Sequence, residues 1–384
     1  MRRHLLLFGP VFALLVAIAF GGEVRFKKTV VDRTFRSEGV ATADVNHDGK
    51  RDILAGDVWY AAPDWKMHEV RKVGTYNGAK GYSRCFQNYA YDVNGDGWTD
   101  SIVVNWPGKE CVWLENPQNK PGHWKQRIVC PSACGETALF ADLLGTGKPV
   151  LGFAVQPQAV VAWVAIPENT DAPWDVHPIT PPKSHSTHRY THGYGFGDVN
   201  GDGRKDFLCT KGWWEAPADR TQSPWTFHPC NLGPACADMV VYDFDGDGDN
   251  DIATSSAHKY GIWWFEHVKT AKGIEFRRHE FFKGYSQMHA LILADINRDG
   301  LMDLVTGKRH FAHQGHDPGG KDPAMLSWFE LRRPAKGKVE FIHHLIDNDS
   351  GVGTQFEVSD INGDGRLDVI TSNKKGVHLF IQQP

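Results

Sequence analysis

The residues best placed to do chemistry are carboxylates set at alternate positions. The string Asp-x-Asn/Asp-x-Asp-Gly-x-x-Asp recurs along the chain. Its oxygen-bearing positions are Asp44, Asn46, Asp48 and Asp52; Asp92, Asn94, Asp96 and Asp100; Asp198, Asn200, Asp202 and Asp206; Asp243, Asp245, Asp247 and Asp251; Asp295, Asn297, Asp299 and Asp303; and Asp360, Asn362, Asp364 and Asp368. A hard cation such as Ca²⁺ takes about 6–8 oxygens, and alternate residues of a tight loop aim theirs at one point. Glycine at the sixth position permits the sharp turn, and the backbone carbonyl of residue 98 adds a donor in the second copy. Up to six structural Ca²⁺ ions are therefore expected, each locking a hairpin. A degraded copy, Asp142 to Val150, has Leu144, Thr146 and Val150 in place of oxygen ligands. No metal is expected there.

Histidine is the second chemical resource. The runs Ser184-His-Ser-Thr-His-Arg-Tyr-Thr-His192, Tyr285-Ser-Gln-Met-His289 and Lys308-Arg-His-Phe-Ala-His-Gln-Gly-His316 concentrate it, and His258 stands in a comparable link. Aligned on the first Asp of each copy, the residue six before it is Glu38, Phe86, Glu136, His192, Ala237, His289 and Thr354. Two His and two Glu thus occupy equivalent positions. Imidazole suits Zn²⁺ and titrates near neutral pH, so a transition-metal or acid/base site is expected. Candidate ligands are His188, His192, His310 and His313. Candidate catalytic groups are His192, His289, Glu136, Tyr190, Lys211 and Lys308, with Asp317 and Arg189 in supporting contacts. Trp213 and Trp214 are read either as stacking platforms for a sugar ring or as core.

These residues need elements to position them, and the period of the repeat says which. The acidic string returns every 45 to 65 residues, a spacing that belongs to propellers, arrays or solenoids. A short apolar run precedes each loop and another follows it, as in Ala290–Ala294 and Asp303–Thr306. A Trp-bearing run comes next, for example Val58-Trp-Tyr60, Gly212-Trp-Trp214 or Ser327-Trp-Phe329. An alternating fourth run closes the unit, as in Phe276–Phe281 and Val339–Ile346. Four strands in each of seven units predict an all-β fold, a seven-bladed β-propeller over 24–384. The last unit lacks its fourth run, and Val24–Val31 supplies the matching alternation at the other end. Blade seven is thus expected to be closed by the N-terminal strand, which removes two exposed edges.

Composition agrees. With 41% hydrophobic residues the chain can bury a core, which excludes intrinsic disorder. Gly 40 and Trp 14 favour short strands and tight turns over long helices. A length of 384 residues gives a prior of two to three domains, which the repeat replaces with one. The net charge of −4 provides no basic face for nucleic acid. Arg2 and Arg3 before the apolar run Leu5–Phe20, with Ala17 and Ala19 at cleavage-site spacing, read as a signal peptide over 1–19. The mature chain is expected to be secreted or periplasmic, with no membrane span. Cys 7 suits an oxidising compartment. Cys130 with Cys134 and Cys230 with Cys236 are spaced to staple loops or to remain free thiols, and Cys209 reads as a buried thiol.

The acidic loops resemble the FG-GAP/VCBS repeats of integrin-type propellers and of many secreted bacterial proteins, over nearly all of 24–384. That resemblance implies the propeller and calcium. A narrower likeness lies in Asp303-Leu-Val-Thr-Gly-Lys-Arg-His-Phe-Ala-His-Gln-Gly-His-Asp-Pro318, His192-Gly-Tyr-Gly-Phe-Gly-Asp-Val-Asn200 and Lys211-Gly-Trp-Trp-Glu-Ala-Pro217. These runs look like the propeller part of aldos-2-ulose dehydratase and related secreted bacterial propellers. The likeness implies metal-assisted loss of water from a keto-sugar such as anhydrofructose. That enzyme also carries cupin domains, for which this chain leaves no room, so an isomerase step tied to a cupin is not expected. The rival expectation is a non-catalytic glycan-binding or adhesion propeller, and a third is a structural assembly module. No Gly-x-Ser-x-Gly elbow, phosphate-binding Gly-Lys-Ser/Thr loop or Cys-x-x-Cys pair points to other chemistry.

Overall fold

Short runs of Val, Ile, Trp and Phe bounded by Gly- and Asp-rich turns form strands, because branched and aromatic side chains pack well on a pleated surface. The computed structural model describes residues 23–233, 236–271 and 273–384. The segment read as a signal peptide, 1–19, lies outside the described residues. Among the described residues no helix is long and apolar enough to cross a membrane.

Blade one shows the plan: Ala41–Ala43, Asp52–Ala55, Val58–Ala61 and Lys66–Glu69 pair antiparallel in that order. Blades four, five and six repeat it as separate four-stranded sheets. Blades two and three are joined by one long strand, Lys125–Ala141. Its first part pairs with Lys109–Glu115 as the outer strand of blade two; its second part pairs with Val150–Val155 as the inner strand of blade three. Blade seven consists of Glu357–Ser359, Asp368–Asn373, Gly376–Gln382 and the N-terminal strand Phe26–Asp32, paired from Phe26↔Gln382 onward. Each inner strand touches the next, and Glu357–Ser359 touches Ala41–Ala43, so the ring closes.

The inner strands and the segments that lead into them approach one another closely. A Cβ on Gly353 would lie 1.9 Å from the Glu38 carbonyl oxygen, and one on Gly195 would lie 2.4 Å from that of Met239. Only glycine lets the backbones meet there. Between blades the core is apolar; one cluster joins Val40, Ile53 and Tyr60 to Val305, Trp328, Val369 and Phe380. Trp213 and Trp214 are 3% and 4% exposed, which decides between the two readings of these residues in favour of core. All seven cysteines are free thiols, and Cys230 alone is not buried.

A second regularity accompanies the third strands. Their Trp faces a basic ring or guanidinium on the fourth strand: Trp59↔His68, Trp113↔Arg127, Trp163↔His177, Trp213↔His228, Trp264↔His279 and Trp328↔His344. The five imidazoles stack on their indoles with centroids 3.8–4.6 Å apart, and the Arg127 guanidinium sits 4.6 Å from the Trp113 centroid. Two residues after Trp, a Glu binds the basic group in four blades: Glu115 with Arg127, Glu215 with His228, Glu266 with His279 and Glu330 with His344, at 2.6–2.8 Å. In blades one and three Ala61 and Ala165 stand there instead.

Candidate functional site

The acidic loops lie at one face of the ring. In the first, Asp44 Oδ1 and Oδ2 accept the N–H groups of Asp48 and Gly49 at 3.1 and 3.0 Å, and Asn46 Oδ1 accepts Asp48 N–H at 2.9 Å. The degraded loop keeps the first of these features, with Asp142 accepting Thr146 and Gly147 at 3.0 and 2.9 Å. Thr146 Oγ1 also accepts Lys148 N–H at 3.4 Å, so the turn forms without the oxygen groups of the third and ninth positions, which exceed what its backbone requires. In blade five the donor atoms of Asp243, Asp245 and Asp247 lie within 4.8 Å of one another.

The ninth-position Asp plays a double part. Asp52 accepts Val45 N–H on one oxygen and Ala62 N–H on the other, tying the inner hairpin to the third strand. Asp100, Asp206, Asp251, Asp303 and Asp368 repeat this pairing. Burial first, and then the neighbouring acids, push Asp100, Asp206, Asp251 and Asp303 up to about 7. A cation would relieve that crowding, so the donor set fits one.

At the opposite end of the channel six of the seven aligned positions, all but Ala237, are connected by direct contacts or through Arg309. Thr354 N–H donates to the Glu38 carbonyl at 2.8 Å, the Thr354 hydroxyl donates to the Phe86 carbonyl, and Gln87 Nε2 donates to the Glu136 carbonyl at 2.9 Å. Glu136, on the inner strand of blade three, faces His192 before blade four and His289 on the inner strand Met288–Ala294 of blade six. Nε2 of His192 and Nε2 of His289 each stand 3.5 Å from Glu136 Oε2. Both nitrogens are buried without a hydrogen-bond partner, as is His289 Nδ1.

That spacing is informative. It is long for a hydrogen bond, yet donors bound at about 2.0–2.1 Å around a tetrahedral ion stand about 3.3–3.4 Å apart. Orphaned imidazole nitrogens aimed at one carboxylate oxygen thus fit a transition metal. Burial disfavours the charged forms of both partners. His289 is held well below the usual imidazole range by burial and then by the Arg309 charge. Burial raises Glu136, but Arg309 and then the two imidazoles outweigh it and hold the carboxyl well below the usual range.

Arg309 was not legible as a site residue. It follows the second strand of blade six, Asp303–Lys308, and is 1% exposed in the channel. Nη1 donates to Glu136 Oε2 at 2.8 Å, and Nε lies 3.6 Å from Glu38 Oε2. Its guanidinium carbon lies 5.0 Å from the Tyr82 ring centroid and 5.4 Å from that of Phe86. Glu38 stays raised because burial outweighs the attraction of Arg309.

Above this cluster opens a pocket of about 380 Å³ lined by Tyr82, Trp106, Glu136, Tyr190, His192, His258 and His313. Tyr82, Trp106 and Tyr190 form an aromatic wall, with centroids 4.9 and 6.1 Å apart along it. Tyr190 is 41% exposed at the rim. His313 and His258, the latter outside the sequence-based candidates, both meet Asp317.

Other candidates lie apart. Lys308 is buried with Nζ donating to Gln287 Oε1 at 2.9 Å, and burial lowers its pKa. Lys211 is exposed in the turn after Asp206–Cys209. His188 Nδ1 accepts the N–H of Tyr190 at 3.2 Å. His310 is driven down to about 4 by burial and then by Lys375, Lys308 and Lys374. Among the described residues, neither His188 nor His310 joins a convergent donor group. A larger cleft of about 530 Å³ between Trp59, His68 and Trp124 opens on the acidic-loop face and carries no such group either.

Comparison with known proteins agrees with the repeat and the architecture. Residues 243–306 match the family model of the FG-GAP-like repeat. No curated protein sequence matches the chain. Among solved structures the chain is similar to the amino-terminal part of BBS1 in complex with ARL6, with 9% identity and a TM-score of 0.50 over 93% of this chain and 96% of that one. It is also similar to rhamnogalacturonan lyase PL11 of Bacillus licheniformis, with 13% identity and a TM-score of 0.47 over 93% and 75% of the two chains. Rhamnogalacturonan lyase YesW gives 14% identity and a TM-score of 0.46 over 92% and 75%. At 9% identity the likeness to the BBS1 structure concerns the fold alone.

Proposed function

We propose that this chain is an exported, calcium-stabilised propeller that eliminates water from a keto-sugar at the mouth of its channel. The observation that carries the reading is the pair of unpartnered imidazole nitrogens on His192 and His289, each 3.5 Å from Glu136 Oε2, beneath an aromatic-walled pocket. Glu136, His192 and His289 would hold a divalent transition metal, which supplies Lewis-acid polarisation of the sugar carbonyl. Tyr82 and Trp106 line the pocket and would shield the sugar from water. A proton leaves the carbon beside the carbonyl for a base in the pocket. Its electron pair becomes the new C=C bond, and the β-hydroxyl departs as water with a proton from Tyr190 at the rim.

The six acidic loops are assigned to Ca²⁺, supported by oxygen donors in excess of what the turn needs, and the loop at Asp142 to none. The charged head and apolar run of residues 1–19 support export.

The test joins metal analysis to turnover. Purified protein is expected to hold six calcium equivalents plus a transition metal, and to convert anhydrofructose to a product with enone absorbance. Glu136→Gln should release that transition metal and lower turnover by at least ~10²-fold. Retention of the sugar without product would sink the lyase reading and favour a glycan-docking propeller.

A further inference from the structure

The pocket contains a second convergent donor set that the Glu136 cluster does not use. His258 Nδ1 and His313 Nδ1 lie 3.1 and 2.9 Å from the same oxygen of Asp317, Oδ2, and all three donor atoms fall within 4.8 Å of one another. Gln287 Nε2 donates to that oxygen at 2.9 Å, and Lys308 Nζ holds Gln287 Oε1. The carboxylate is thereby fixed from blade six while the imidazoles arrive from two different blades. The His258 and His313 rings stack with centroids 4.7 Å apart, and the His258 centroid lies 4.6 Å from that of His192. Each set therefore contributes to the lining of one pocket, Glu136 and His192 from the first and His258 and His313 from the second.

We propose that His258, His313 and Asp317 form a second divalent transition-metal site, beside the Glu136 set and open to the pocket. The separations of 2.9 and 3.1 Å are hydrogen-bond lengths in the metal-free cluster, and they also equal the roughly 3.0 Å between neighbouring donors of an octahedral ion with bonds of about 2.1 Å, so an ion can replace the shared proton contacts without moving the donors. Two imidazoles with one carboxylate leave coordination positions vacant and suit Fe²⁺, Mn²⁺ or Zn²⁺. The two sites differ in access. His289 is fully buried, whereas the His313 side chain is 43% exposed and those of His258 and Asp317 are 21% and 18% exposed. The second ion is the exchangeable one, placed to meet the oxygens of a polyhydroxylated ligand. This site stands on its own donors and does not depend on an ion at Glu136.

Cobalt(II) is the probe, titrated into chelator-stripped, calcium-saturated full-length protein and read by its visible absorption and by bound metal after desalting. Wild type is expected to bind two equivalents, and Asp317→Asn or His258→Gln one, with the melting temperature of each variant in calcium confirming its fold. Glu136→Gln is expected to keep the second equivalent. A single equivalent that Asp317→Asn removes and Glu136→Gln leaves would uphold this site and overturn the Glu136 one. A single equivalent that Glu136→Gln removes, with Asp317→Asn without effect or equally disruptive, overturns the second site. No bound cobalt overturns both and leaves Asp317 as the centre of a hydrogen-bonded histidine pair.

Discussion

At the scale of single residues, Arg309 decides the electrostatics of the channel. It is the cation between two buried carboxylates, and it holds Glu136 ionised while Glu38 remains raised. Removing one member of a buried charge network leaves the others uncompensated, at a cost of about 3–5 kcal/mol. Arg309→Met is therefore expected to destabilise the protein by about that amount in denaturant melts, and to raise the pKa of Glu136. An unchanged melting profile would show that Arg309 is replaceable filler. Glu136, His192 and His289 were legible because they occupy the same position in different repeats. Arg309 was not, because it lies one residue past a strand end in one repeat and only the closed ring carries it to Glu38 and Glu136.

At the scale of elements, the third and fourth strands carry an imidazole or guanidinium stacked on Trp, and the acid partner of that pair varies. His68 and His177, in the blades with Ala in place of Glu, have pKa values lowered first by burial against the indole. Lowered values mean that the folded state resists protonation. Their contribution to stability is present above pH ~6.5 and is lost as pH falls below it. Ala61→Glu should reverse this at His68 by supplying the carboxylate found in four other blades. Its pKa, read from ring-proton shifts in an NMR titration, is expected to rise by about 1 unit; no rise would mean that the cross-strand geometry of blade one differs. The strands themselves were readable from alternation and Trp. The join of blades two and three in Lys125–Ala141 was not, since Pro131 and Gly135 interrupt the run at sequence level.

At the scale of the whole molecule, stability depends on closing a ring from its two ends. Phe26–Asp32 covers the edge of Gly376–Gln382, and Val24, Phe26 and Val31 pack against the cluster that joins blades one, six and seven. Deleting residues 23–32 uncovers a row of unpaired N–H and C=O groups, which invites pairing with other chains. The shortened protein is expected to elute as larger species or aggregate relative to the full chain in size-exclusion chromatography, and a peptide spanning 23–32 should restore the elution of the full chain. A deletion that elutes like the full chain with an unchanged melting temperature would show that closure comes from blade contacts alone.

The sequence by itself determined the repeat, the strand order within a blade, the closing role of the N-terminal run and the loops in which oxygen donors collect. All of these follow from local periodicity, because a strand's faces and a turn's glycine are set by residues a few positions apart. Only the tertiary structure decided which histidines meet. His192 and His289 are joined to Glu136, and His258 and His313 to Asp317, while His188 and His310 stand apart. Residues from different blades are brought together by the curvature of the whole ring, and no spacing along the chain records that curvature.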